Sequence, residues 1–373
     1  MTVLWITAVI LASLYLLLIG IFFSGWIRLP VDSSGSPVSP AKVSVIIPVR
    51  NEELNIVPLI NALRKQDYPQ NQMEIMIIDD HSTDLTFEMV MSFIKRYRNI
   101  RYLRLGDGVE GKKNALVKGV SMARYPLVLT TDADCVPSPG WVKTMAGSLI
   151  SSGADLVSGP VLMDGPDTFF SKFQRLEFLS LTGSTAGSIA VGKGVMCSSA
   201  NLAFKKDAYI EVKDGIRREI ASGDDVFLLM AMQSMGDKKI SYLKDRDAIV
   251  SIGALNTMEE FFKQRRRWTS KSRYYRNPAS VFTALLVFLV NFFAAACILV
   301  SPVFPQLLLT ACFIIFVKSV IDFPFLLSVS RFFGQQNLMK YFPVVQLLYL
   351  FYISFTVITS FYAVFDWKGR LVK

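Results

Sequence analysis

One histidine, His81, and four cysteines without regular spacing are all the imidazole and thiol ligands that 373 residues offer. A multi-histidine metal centre is therefore impossible, and a Ser-His-Asp hydrolase is a poor fit. The cysteine spacing excludes a disulfide scaffold and a Cys-rich zinc site. Charge is scarce too: Asp, Glu, Lys and Arg make up 19% of the chain, against about a quarter in an ordinary soluble domain. Apolar residues fill the gap, with 52% hydrophobic, 12% aromatic and a mean hydropathy of +0.39. So many aromatics exclude disorder as the main state, and the charge deficit points to a membrane protein with length for two or three domains. There is no internal repeat and no low-complexity tract.

The apolar residues are segregated. Val3 to Phe23 has no charge and is long enough to cross a bilayer, which takes about 20 residues. A cleaved signal peptide fits less well than an uncleaved anchor, because no basic residue precedes the run and no small-x-small site follows it. Val281–Val303 and Val344–Val364 are also uncharged, whereas Leu307–Val329 contains Lys318, Asp322 and Pro324. Lys318 and Asp322 share a helix face, as a self-neutralising pair in a bundle or beside a polar headgroup path. Of 40 basic and 30 acidic side chains, seven and three lie outside residues 41–280, which leaves that block about +6. With Arg28 it marks the cytoplasmic side by the positive-inside rule, and Cys135 and Cys197 are then expected as free thiols. Three C-terminal spans would put the basic tail outside, against that rule, so one stretch is a candidate re-entrant or interfacial segment. The reading is of an integral membrane protein, with 1–30 an anchor, 31–41 a linker (Val31 to Pro40 by composition), 42–255 a cytosolic domain, 256–280 a basic-aromatic interfacial segment, 281–366 transmembrane or interfacial helices and 367–373 a basic tail.

Within the block, strands alternate with helices. Val43-Ser-Val-Ile-Ile-Pro-Val and Glu74–Ile78 are strands, each followed by a helix: one runs through Ile56, Leu59, Ile60 and Leu63, the other to about Tyr97. Arg101–Leu105 and Leu127–Thr131 are two more strands. This order predicts an α/β class with a mostly parallel, doubly wound sheet, whose ligands gather at the carboxyl ends of the strands. Asp79-Asp80 and Asp132-Ala133-Asp134 both fall there. Two carboxylates on a turn suit one hard divalent cation, Mg²⁺ or Mn²⁺, or a cation and a ribose hydroxyl; a capping pair is the plainer alternative. Lys112 after Gly111 is a cation able to reach a diphosphate, although such a lysine is more often solvated. Asp225 opens an apolar helix, Val226–Met232, where the helix dipole keeps a carboxylate ionised; a plain N-cap would look the same. Residues 256–277 mix Phe261, Phe262, Trp268, Tyr274 and Tyr275 with Lys and Arg, which fits a helix on anionic lipid better than a nucleic-acid patch. Thr168–Leu181 is a second apolar face, for the bilayer or for the core.

Seven stretches in order carry a resemblance: Val45-Ile-Ile-Pro-Val-Arg-Asn-Glu, Ile77-Ile-Asp-Asp-His-Ser-Thr-Asp, Gly111-Lys-Lys-Asn-Ala-Leu, Thr131-Asp-Ala-Asp, Ser199-Ala-Asn, Gly223-Asp-Asp and Gln264-Arg-Arg-Arg-Trp. From about Val43 to Tyr275 the chain resembles the membrane-anchored family 2 glycosyltransferases of the GT-A fold. That branch includes ceramide glucosyltransferases, bacterial lipid glycosyltransferases and processive β-glycan synthases. The resemblance implies that Pro48, Arg50 and Glu52 border the base and ribose, that Asp79 or Asp80 bonds the uracil edge, and that Lys112 lies by the nucleotide. It implies Asp132 on the ribose or metal, Asp134 on the metal, and Gln264, Arg267 and Trp268 at the diphosphate and acceptor. Asp225 matches the catalytic Asp, with Asp224 where Glu is usual, so the base stays open between the two. His81 and Ser198-Ser199 stand where Gly is common.

The implied chemistry is inverting: one carboxylate takes a proton from an acceptor hydroxyl while metal and arginine stabilise the leaving diphosphate. The expected donor is a nucleotide-sugar, a UDP-sugar first, and the expected acceptor a membrane lipid or lipid-linked hydroxyl. The expected setting is a bilayer, a bacterial inner membrane, with no nucleic acid partner. A processive polysaccharide synthase is the alternative, with four spans little material for a channel. A non-catalytic nucleotide-sugar-binding membrane protein is the remote one. A nucleotidyltransferase would leave Gln264-x-x-Arg267-Trp268 unexplained.

Overall fold

The computed structural model describes residues 2–31, 40–217, 220, 222–362, 365–367 and 370–372. Residues 32–39 of the linker expected at 31–41, and 368–369 and 373 of the basic tail, lie outside the described residues. The helices are α1 (Thr2–Arg28), α2 (Ile56–Arg64), α3 (Thr86–Ile94), α4 (Lys112–Met122), α5 (Trp141–Ser151), α6 (Phe169–Ala190), α7 (Lys206–Val212), α8 (Asp224–Met235), α9 (Met258–Ser270), α10 (Pro278–Val300), α11 (Gln306–Phe332) and α12 (Phe342–Ser360). The strands through residue 253 are β1 (Val43–Val49), β2 (Met73–Asp79), β3 (Ile100–Arg104), β4 (Leu127–Thr130), β5 (Cys135–Pro137), β6 (Leu156–Ser158), β7 (Val161–Asp164), β8 (Leu202–Lys205), β9 (Ile240–Tyr242) and β10 (Val250–Gly253). The chain forms two compact units, one of Leu29–Leu162, Met196–Gly253 and Asp366–Lys373, the other of Met1–Arg28, Met163–Val195 and Ala254–Phe365.

The first unit is built on a seven-stranded sheet in the order β3-β2-β1-β4-β8-β6-β9. Pairs β1–β2, β1–β4, β2–β3 and β6–β9 are parallel; β8 runs antiparallel to both β4 and β6. Every residue of β1 and β2 is buried, which is why both strands read as unbroken apolar runs rather than alternating ones. The exception, Glu74 of β2, is satisfied: Ser44 Oγ donates to it at 2.6 Å, Arg101 at 2.9 Å and the Arg124 amide at 2.6 Å. Helix α4 lies hard on this sheet, because a Cβ at Gly119 would sit 2.6 Å from Ile46 Cγ2. Polar turns follow the carboxyl ends of β2 and β4, at Asp79–Ser82 and Thr131–Asp134, and these position the site.

The second unit is helical. Four helical segments among the described residues are long and apolar enough to cross a membrane: Thr2–Arg28, Pro278–Val300, Gln306–Phe332 and Gln336–Ser360. Lys318 and Asp322, the charges inside α11, do pair, at 3.3 Å. Helix α6, which holds the apolar face expected at Thr168–Leu181, packs against α1: a Cβ at Gly187 would meet the Phe22 carbonyl oxygen at 2.0 Å. Helix α9 is capped by Thr257, whose Oγ1 accepts the Glu260 amide at 3.2 Å and donates to Glu260 Oε2 at 3.0 Å. Asn277 caps α10 and Pro278 takes its first position.

Candidate functional site

Lys112 begins α4 and stands among carboxylates. Its Nζ is 2.6 Å from Asp132 Oδ1 and 3.4 Å from Asp224 Oδ2, and it donates to Ser199 Oγ at 2.7 Å. Burial works against the ammonium, but Asp132, then Asp224 and Asp225, outweigh it and hold the pKa well above the ordinary lysine value. Asp132 is pushed up to about 6 by burial and by the charges of Asp134 and Asp224, against the pull of Lys112. The sequence placed Lys112 only beside a nucleotide. The structure makes it the group that joins the Asp132 turn to Asp224.

Asp224 and Asp225 occupy the first turn of α8, with Gly223 as N-cap at φ 83°. Asp225 is therefore not the cap residue, which sets aside the plainer explanation of its position. Its Oδ1 accepts the Val226 amide at 2.7 Å. Lys113 is buried, donates to the Arg217 carbonyl at 2.9 Å and lies over the Phe227 ring at 4.5 Å. Consecutive lysines of one helix thus reach Arg217 and Asp224. Nothing in the local pattern of Lys112-Lys113 announces this, since Arg217 is distant in sequence.

The β2 turn divides the Asp79-Asp80 pair. Asp79 is committed to the protein: it accepts from the Ser82 amide at 3.0 Å, from Ser82 Oγ and from Tyr102 Oη at 2.7 Å. Asp80 Oδ2 accepts the Gly111 amide at 2.9 Å, which ties this turn to the start of α4. His81 sits at φ 55°, where Gly is at ease, and its Nε2 lies 3.2 Å from the Val109 carbonyl oxygen. Arg50 donates to the carbonyls of Asp80 at 2.7 Å and His81 at 3.2 Å. Glu52 accepts from Asn55 at 2.8 Å, and Pro48 is buried in β1. Arg50 and Glu52 thus brace the turns beside the strand ends. Gln264, Arg267 and Trp268 lie on α9 of the helical unit, half-buried.

The donor set suits a hard divalent cation. Carboxylate oxygens of Asp132 and Asp134 and Sγ of Cys135 lie within 4.8 Å of one another. Burial and those two carboxylates push the Cys135 thiol up, so it stays protonated and the carboxylates are the available ligands. Ser199-Ala-Asn201 is one of the stretches carrying the resemblance, without a role for Asn201. Asn201 is wholly buried, donates to the carbonyls of Pro160 at 2.9 Å and Ala248 at 2.8 Å, and accepts from Trp141 Nε1 at 2.8 Å. It fixes the loop that presents Ser199.

A mostly parallel sheet with acidic turns at its carboxyl edge is the GT-A-like architecture. A mannosyltransferase from Pyrobaculum calidifontis in complex with GDP-Man and Mn²⁺ shares this fold, at TM-score 0.58 and 17% identity over 95% of this chain and 99% of that one. Residues 44–213 match the family model for glycosyl transferase family 2, and the chain carries a domain of that family. Similar curated proteins include glycosyltransferase AglE of Haloferax volcanii, 28% identical over 184 residues, 49% of this chain and 58% of that protein. Ceramide glucosyltransferase 1 of Caenorhabditis elegans is 27% identical over 270 residues, 70% of this chain and 56% of that protein. The chain thus spans just over half the length of these relatives.

Proposed function

We propose that this protein is an inverting glycosyltransferase that moves a sugar from a nucleoside-diphosphate donor, a UDP-sugar first, to a hydroxyl of a membrane lipid. The carrying observation is the continuous path from the Asp80 carboxylate through Gly111 and Lys112 to Asp132 and Asp224. It gathers at one sheet edge the three acidic stretches that the chemistry needs. Asp225, or Asp224 beside it, takes the proton from the attacking hydroxyl, from its place in the first turn of α8. Lys112 meets the negative charge that grows on the departing diphosphate, and Arg267 is assigned the same task. Asp134 and Asp132 would hold Mg²⁺ or Mn²⁺, which supplies further charge neutralisation at that diphosphate when bound. Asp80 serves the base, with Asp79 shaping its turn, while Pro48, Arg50 and Glu52 form the floor. Gln264 and Trp268 serve the acceptor. Four apolar helices and the name of the ceramide-directed relative support a lipid acceptor and a membrane setting, with the Arg28 side cytoplasmic.

The test is incubation of membranes carrying the protein with labelled UDP- and GDP-sugars and Mn²⁺, then lipid extraction and mass spectrometry. One added hexose on a lipid is expected. A ladder of products would replace single transfer by processive polymer synthesis, and nucleotide-sugar binding without any product would make the protein a binder.

A further inference from the structure

The stretch Gln264-Arg-Arg-Arg-Trp268 contains two arginines between the positions assigned above, and one of them is not solvated. Arg265 is buried, with 3% of its side chain exposed, and its counter-charge Glu177 of α6 is 4% exposed. The contact is forked: Arg265 Nε donates to Glu177 Oε1 at 3.1 Å and Oε2 at 3.3 Å, and NH2 donates to Oε2 at 2.7 Å. Tyr352 Oη of α12 adds a third donor, to Glu177 Oε1 at 3.1 Å. The same guanidinium bonds Gln264 Oε1 and lies 4.3 Å from the Trp268 ring centroid and 4.6 Å from that of Phe261. One side chain therefore touches the first and last residues of the motif from beneath.

A buried ion pair is a poor way to gain stability, because apolar residues of like volume often do as well or better. What a forked, planar contact supplies is orientation. We infer that Glu177 is a positioning residue for sugar transfer: through Arg265 it sets the rotation of α9 and hence the placement of Gln264, Arg267 and Trp268. This rests on the function proposed above, and it extends the machinery to a helix, α6, that lies between the matched motifs and contributes none.

The test compares Glu177→Gln, Tyr352→Phe and the paired Glu177→Met/Arg265→Met in purified protein, reading kcat, acceptor KM, UDP affinity and Tm. Glu177→Gln is expected to lower kcat at least tenfold, raise acceptor KM and weaken UDP binding several-fold, since Arg267 serves the diphosphate. Tyr352→Phe is expected to lower kcat two- to fivefold at unchanged Tm. The paired Met variant is expected to match wild-type Tm while kcat stays at least tenfold down. Recovery of kcat together with Tm would overturn the inference, as would a Tyr352→Phe enzyme of full activity if the paired variant does not fold. Should wild type transfer no sugar, the proposed function fails first. Amide exchange across residues 258–270 then decides the anchor by itself: tenfold faster exchange in Glu177→Gln supports it, and unchanged exchange refutes it.

Discussion

At the scale of single residues, the acidic cluster is a problem of charge that Lys112 partly solves. Asp132, Asp134, Asp224 and Asp225 stand near one another with one half-buried ammonium among them. Removing that ammonium leaves Asp132 with Ser199 Oγ at 3.5 Å and open to an incoming cation. Lys112→Ala is therefore expected to bind Mn²⁺ several-fold tighter in the absence of donor, measured by electron paramagnetic resonance, while UDP binding weakens about ten- to a hundredfold for want of a charged hydrogen bond worth roughly 1.5–3 kcal/mol. Equal Mn²⁺ affinity in the two proteins would show that Lys112 does not screen the metal ligands. For the base, Asp225 is the stronger candidate, since Gly223 takes the capping role and Asp224 points its Oδ2 toward Lys112. Asp225→Asn is expected to lower kcat by about 10²–10⁴ with UDP affinity unchanged by calorimetry. If Asp224→Asn has the larger effect on kcat at equal UDP affinity, the two roles are reversed.

At the scale of elements, what was legible in the sequence is what is fixed locally. The buried runs of β1 and β2, the amphipathic α2 and the helix after Gly223 all read directly, and so did the acidic turns at strand ends. Helix α4 was read only as a glycine followed by a mobile lysine, because its apolar residues are few and its packing depends on Gly119 meeting Ile46. The antiparallel insertion of β8 has no local signature, since strand order is decided by pairing across many residues. The partnership of Glu177 with Arg265 is of the same kind. So is the crossing of α1 and α6, where Gly25 and Gly187 face each other's helix backbone: a Cβ at Gly25 would lie 2.3 Å from the Gly187 carbonyl oxygen. Small residues that let backbones touch are what such helix contacts require. Alanine normally favours a helix over glycine by about 1 kcal/mol; here Gly187→Ala must push two backbones apart. Its Tm in detergent is expected to fall, whereas Gly147→Ala on α5, where a Cβ meets nothing within 4 Å, is expected to hold or raise Tm. A Gly187→Ala protein as stable as wild type would mean that this crossing is loose.

For the molecule as a whole, the helical unit is assembled from both ends of the chain. Tyr15 of α1 donates to Asp322 of α11 at 2.9 Å and 3.1 Å, Gln346 of α12 donates to the same carboxylate at 2.9 Å, and Lys318 lies 3.3 Å from it and 4.0 Å from the Tyr15 ring centroid. A single buried carboxylate thus collects donors from three helices, one of them 307 residues away in sequence. The sequence showed only the Lys318–Asp322 pair, because spacing reveals partners within a helix and not across a bundle. The arrangement implies strong non-additivity. Asp322→Leu alone strands a buried ammonium and two other donors, and is expected to cost about 3–5 kcal/mol. Lys318→Met with Asp322→Leu removes both charges and leaves only Tyr15 and Gln346 unpaired, so part of that loss should return. Thermal unfolding of the wild type, both single variants and the double variant in one detergent measures the coupling. A double variant no more stable than Asp322→Leu would mean that the cluster is not an electrostatic unit, and that α1 is held to α11 by its apolar and glycine contacts alone.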